Sequence, residues 1–260
     1  MNPLYIAASG MVAQQERVDV IANNLANMNT TGYQRRRASF NDLIYEDNKR
    51  PNNRHSRADG VVPGGVKAGL GVRMAASYRV VEQGNLAQTG NPYDLAIQGS
   101  GYIPVTLANG ETAYTRSGAF QLDQAGRLVT HDGLQVGGGI TVPQGAIEVS
   151  INNSGQVLAK FAGQPQPQNL GQISLTRFPN EGGLTAIGDS LFKETPASGA
   201  PLTGLPGAAG FGSLLQGFLE TSNVNPVEEI SNMVKAMRAY ELNSKVIQTA
   251  DQMMSTKASA

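Results

Sequence analysis

The stretch "ANNLANMNTTGY", residues 22–33, ends an apolar helical stripe with four asparagines and a Thr-Thr-Gly stop. Upstream, Leu4, Ala7, Met11, Gln14, Val18, Ile21, Leu25 and Met28 step by alternating threes and fours, and only Gln14 is polar. That spacing predicts a helix with a coiled-coil type seam. Asn23, Asn24, Asn27 and Asn29 do not strengthen such a helix, because their short amides compete for backbone hydrogen bonds. Two roles remain for them: hydrogen bonding between subunits together with the turn at the helix exit, or a polar face meeting water. Asn2-Pro3 suits the helix start, with Asn as cap and Pro as first helical residue, and Gly32 suits its stop. Residues 3 to 28 would make a rod roughly 39 Å long at 1.5 Å per residue.

The other end of the chain repeats this design. In "NVNPVEEISNMVKAMRAYELNSKVIQTADQMM", Asn225 is placed to cap, Pro226 to open the helix and Glu228 to act as the capping-box acid. Glu228 and Glu229 also suit the positive end of the helix dipole. Met233, Tyr240, Ile247 and Met254 recur every seven residues, with Ala236, Asn243 and Ala250 between them. A seam at each end suggests that the two termini meet. The outer faces of such a pair carry Asn, Gln, Ser and Ala, which permit close approach by neighbours.

Composition narrows the rest. The 260 residues carry zero formal net charge, no Cys, no Trp and only two His. Thiol chemistry and disulfides are therefore excluded, zinc chemistry nearly so, and no global basic field attracts nucleic acid. With 31 Gly, 13 Pro and 15% charged residues, the middle of the chain favours turns and short strands. No run of about 18 apolar residues is present, nor a positive n-region followed by a continuous apolar stretch.

Residues 33 to about 75 are polar and irregular, with "RRR" at 35–37 and "NKRPNNRHSRADG" at 48–60. This reads as a basic linker or excursion, either docking acidic surfaces of neighbours through Lys49, Arg50, Arg54 and Arg57 or solvated as a loop. From about 76 to 220 short strands alternate with turn pairs at Asn109-Gly110, Asp132-Gly133 and Ser154-Gly155, which suggests a sandwich or barrel-like core. Asp94, Asp123, Asp132 and Asp189 sit at turns or strand ends, where Asp serves local hydrogen bonding. His55 and His131 lie far apart, and "GGG" at 137–139 lacks a following Lys-Ser/Thr, so no catalytic or phosphate motif emerges.

Three stretches in order carry a family resemblance: "ANNLANMNTTGY", "GNLAQTGNPYDLAIQGSGYI" with "AYTRSGAFQLDQAGRLVT", and "GFLETSNVNPVEEISNMVKAMRAYELNSKVIQTADQMM". They are similar to motifs of the bacterial flagellar rod, hook and hook-associated axial family. Length and the excursion at about 46 to 66 resemble its distal rod members most. The resemblance implies an α+β chain whose N- and C-terminal helices pair into a coiled-coil-like inner domain (1–32 and 221–260). An extended basic linker (33–75) and a mainly β outer domain (76–220) complete it. It implies a structural subunit, not an enzyme, with no cofactor and no metal, assembling with itself into a helical tube that transmits torque and encloses an export channel. Partners implied are proximal rod proteins, hook protein, the P-ring and L-ring proteins and the flagellar type III export apparatus. The implied location is the basal body, between periplasm and outer membrane, reached without a cleavable signal peptide, with helices commonly disordered before assembly. Assembly residues on this reading are Leu4, Met11, Val18, Ile21, Asn23, Asn24, Leu25, Asn27, Met233, Tyr240, Ile247 and Met254. A proximal rod or hook-type subunit is the nearest alternative; a surface β-domain adhesin or a wall-cleaving enzyme leaves the terminal seams without a purpose.

Overall fold

A computed structural model describes residues 2–47, 67–164 and 166–258. Lys49, Arg50, Arg54 and Arg57 of the basic excursion lie outside the described residues. Two compact units emerge. One comprises the residues up to Ala26, Arg36–Tyr78 and the residues from Asn225 onward; the other comprises Asn27–Arg35 and Arg79–Val224.

The first unit is built on two long helices, α1 (Asn2–Ala26) and α2 (Pro226–Ala258), which pack along each other. The sequence sets the start of α2 through its cap: Asn225 Oδ1 accepts from the backbone N–H of Val227 (3.1 Å) and Glu228 (3.4 Å), and Pro226 lacks the donor that would go unpaired. α1 ends two residues before the expected Met28, and Gly32 is not its immediate stop. A turn takes over at Asn27, with Thr30 N–H bonding Asn27 O and Thr30 Oγ1 bonding Asn27 Oδ1. The helix loses to local side-chain hydrogen bonds there, as Asn and Thr favour.

Part of the expected linker belongs to this unit. β1 (Arg36–Asp42) pairs with β4 (Val72–Arg79), and between them β2 (Tyr45–Asp47) pairs antiparallel with β3 (Lys67–Gly69). The ribbon is seated on α1 where Ser9 Oγ accepts from Val72 N–H at 3.3 Å. A side chain at Gly71 would start 2.2 Å from that hydroxyl, so glycine is required for the approach.

The second unit holds the β core. Its largest sheet has seven strands, among them the antiparallel hairpins Ile103–Thr106 with Thr112–Thr115 and Leu128–Thr130 with Gln135–Val136. Asn109-Gly110 and Asp132-Gly133 form their turns, with Gly110 at φ 83° and Gly133 at φ 80°. Ala146–Ile151, Gln156–Phe161 and Gln168–Gln172 form a three-stranded sheet, the first two joined through Ser154-Gly155. The remaining described strands pair two by two, so the core is a set of unequal sheets rather than two matched layers. Leu95, Ile97, Ile103, Val105, Phe120 and Leu214 lie at its centre, each at most 1% exposed.

Candidate assembly surface

The helix pair is antiparallel. Asn243 sits against Gly10, where an added Cβ would come within 2.8 Å of its amide, and Asn24 meets Glu229 fourteen residues further along each helix. The packed face of α2 repeats every seven residues through Glu229, Ala236, Asn243 and Ala250, of which Glu229 (4%), Ala236 (0%) and Ala250 (8%) are buried. On α1 the buried residues are Ala7, Ala13, Ile21 and Asn24. Small side chains let the helices approach closely and push the larger ones to the flanks.

The expected seam residues are therefore distributed unevenly. Ile21 is buried; Leu4, Met11, Val18, Leu25, Met233 and Ile247 are half-buried; Tyr240 and Met254 are each 43% exposed. Among the asparagines, Asn23 and Asn29 are exposed and Asn27 is half-buried. Asn24, 1% exposed, is engaged inside its own chain. Its Nδ2 donates to Arg36 O (2.8 Å) and Glu229 Oε2 (3.4 Å), and its Oδ1 accepts from Arg36 N–H (2.8 Å). The side-chain amide thus completes the peptide pairing of β1 and anchors the first turn of α2.

Around this junction lies a cleft of about 440 Å³, lined by Arg17, Ile21, Arg36, Phe40, Glu228 and Asn232 among others. Arg37 and Glu228 form an ion pair at its edge, 3.4 Å apart and about half exposed. Three guanidinium groups here face two carboxylates, and the lining includes no nucleophile.

The face of α2 turned away from α1 is more apolar than its sequence suggested. Val227 (77%), Ile230 (50%), Val234 (43%) and Met237 (52%) are exposed and fall on one side of the first three turns. On α1 the outward residues Tyr5 (62%) and Val12 (56%) do the same. The signal was present as spacing of threes and fours, but it was masked by a competing seam on the same helix.

In the second unit a buried ion pair was not read from the sequence. Arg116 and Glu220 are 4% and 2% exposed and pair at 2.8 Å. Nε and Nη2 of Arg116 both reach Glu220 Oε2, Nη1 donates to Gly101 O and Nη2 also to Gly99 O, while Glu220 Oε1 accepts from Gly84 N–H. Asn223 joins the chain entering the β core to the chain leaving it, accepting from Arg35 N–H at 2.7 Å and donating to Val80 O and Glu82 O. Two of the four aspartates at turns or strand ends have local duties: Asp94 accepts from Thr89 and Asn91, and Asp123 from Ala125 N–H, Arg127 N–H and the Arg127 guanidinium. No group of three metal-ligating side chains occurs among the described residues, and none of their helices is long and apolar enough to cross a membrane.

Comparison with known proteins places the chain in a family. Residues 4–34 match the family described as flagella basal body rod protein, residues 96–159 the flagellar hook protein FlgE/F/G D1 domain, and residues 215–260 the flagellar basal body rod FlgEFG protein C-terminal region. The chain belongs to the flagellar basal-body rod protein family, a structural family. Within it the likeness is to FlgG. The chain is 54% identical to the FlgG rod protein of Caulobacter vibrioides over 98% of its own length and 97% of the relative's. It is 46% identical to that of Agrobacterium fabrum over the same shares. To the FlgF rod protein of the same Caulobacter strain identity is 32%, over 95% and 92%.

Proposed function

We propose that the chain is a structural subunit of the flagellar distal rod, self-assembling into a helical tube that transmits torque from motor to hook and encloses the axial export channel. The observation that carries this reading is the antiparallel α1–α2 pair, packed on one side and bare and apolar on the other. A face of that kind in a member of a structural family is built for contact with copies of itself. Greater identity to FlgG than to FlgF supports the distal over the proximal position. A coiled-coil register for the helix pair fits the seven-residue repeat of Glu229, Ala236, Asn243 and Ala250.

Proximal rod proteins below, hook protein above and the P and L rings around the shaft are the partners this position entails. Export through the flagellar type III apparatus is the route this position entails. Lys49, Arg50, Arg54 and Arg57 are assigned to contacts between neighbouring subunits in the tube. Expression in a Caulobacter strain lacking its own FlgG tests the reading. Restored swimming, with the chain present in purified hook–basal bodies, is the expected result; secreted chain absent from those particles would overturn it.

A further inference from the structure

We propose that the outward stripe of α2 (Val227, Ile230, Val234, Met237) docks on the outward face of α1 (Tyr5, Val12) of a neighbouring copy displaced by roughly 19 Å along the helix axis. The proposal rests on the rod-subunit reading and names the contact that reading requires. The displacement follows from the register within one chain. Since Gly10 faces Asn243 and Asn24 faces Glu229, the centre of the stripe on α2 lies beside Ile21 of α1, about twelve to thirteen residues from the centre of the Tyr5–Val12 patch. At 1.5 Å per residue that separation is about 19 Å.

Packing at equal height is disfavoured by charge. A neighbouring α1 without displacement would set Asp19 against Val234 and Glu16 against Met237, desolvating two carboxylates on apolar side chains, and would set Val12 against Glu241. With the displacement, Val12 falls between Val227 and Ile230 and Tyr5 between Val234 and Met237, within two residues of Ile230 and Val234 respectively, and both acids pass beyond the α2 stripe. The α1 patch, about 10 Å long, falls within the stripe of about 15 Å on α2. Because the joined surfaces differ, each copy offers one of each and the contact repeats without closing, which is the geometry of a filament. A two-fold pairing of α2 on α2 would instead close after two copies and leave Tyr5 and Val12 bare.

The absence of native cysteine makes the test direct. Val12→Cys and Ile230→Cys chains are expressed separately and together in the complemented strain, hook–basal bodies are purified and oxidised, and disulfide-linked dimers are read on a denaturing gel. Tyr5→Cys with Val234→Cys is a second pair. The expected result is a dimer band only where both members of a pair are present, since a disulfide requires Cα atoms within about 7 Å. A dimer from Ile230→Cys or Val234→Cys alone would indicate two-fold pairing and overturn the proposal. So would the lack of any dimer in particles containing both members of a pair. Should the cysteine chains not enter the particles, Val234→Leu and Val234→Glu decide: entry of Leu with at least tenfold less of Glu agrees with the proposal, and equal entry refutes it. Failure of the unaltered chain to enter basal bodies would refute the rod reading itself.

Discussion

Glu220→Gln is expected to be among the most damaging isosteric changes in the β core. Glu220 Oε2 takes two donors from Arg116 and Oε1 takes Gly84 N–H, so the carboxylate accepts on both oxygens. A glutamine must turn its Nε2 toward one of these donors, leaving either the guanidinium or Gly84 N–H facing another donor. At 4% and 2% exposure water cannot compensate, and in either orientation the Arg116 charge loses its carboxylate counter-ion. Breaking a buried pair in this way costs about 3–5 kcal/mol. For a unit of this size 1 kcal/mol corresponds to roughly 2–4 °C, so the melting temperature falls by about 6–20 °C. The assay is thermal and urea unfolding followed in the far ultraviolet, with Glu111→Gln as the control. Glu111 pairs with Lys193 at 2.8 Å but both are about half exposed, so solvent screens the pair and its loss should change stability little. Equal, small effects of the two substitutions would refute the assignment of Arg116 and Glu220 as a buried hub.

Other substitutions probe other links. Asn24→Asp keeps the acceptor for Arg36 N–H but loses both donated bonds and brings a second carboxylate to buried Glu229. Helix content or incorporation into basal bodies should drop at neutral pH and recover partly in acid, as protonation relieves the pair; pH-independent behaviour would count against the contact. Tyr102 donates to Glu181 at 2.9 Å, and burial first, then the Glu181 carboxylate, raises its phenol above the ordinary 10.0. The unfolded chain releases this proton near pH 10 and the folded chain retains it, so stability is intact below that pH and falls above it. Tyr102→Phe should flatten that alkaline loss at a cost of about 1 kcal/mol, and an unchanged alkaline profile would exclude Tyr102 as its source. Gly32→Ala should destabilise by more than about 1 kcal/mol, measured by urea unfolding, because φ is 68° and the new Cβ would lie 2.7 Å from Ser117 N. Neutrality there would mean that the turn relaxes freely.

The sequence is most legible where chemistry is local. Asn225-Pro226 defines the start of α2 because cap and missing donor act within one turn. The Asn-Gly, Asp-Gly and Ser-Gly pairs mark hairpins because left-handed backbone favours glycine there. Helix pairing was legible as a class, but its face was not. Periodicity weighs Met11 and Val18 above Gly10 and Ala13, whereas close packing favours the small residues, and α2 carries apolar residues on two sides. Asn24 illustrates the same limit, since nothing in "ANNLAN" distinguishes the buried asparagine from its exposed neighbour Asn23. Arg116 and Glu220, 104 residues apart, could be joined only by the fold. The residues 33–75 looked like linker because ribbon pairing between Arg36–Asp42 and Val72–Arg79 bridges a long polar insertion that breaks any local strand pattern.

The central claim is that the terminal helices, not the β core, build the tube. Sedimentation and electron microscopy of the purified full chain beside residues 27–224 alone test it most directly, with circular dichroism establishing that both preparations keep the β core. The full chain should form tubular polymers above a threshold concentration while the core stays monomeric throughout. Polymers formed equally by the core, or a full chain that stays monomeric even when seeded with purified rods, would contradict the account.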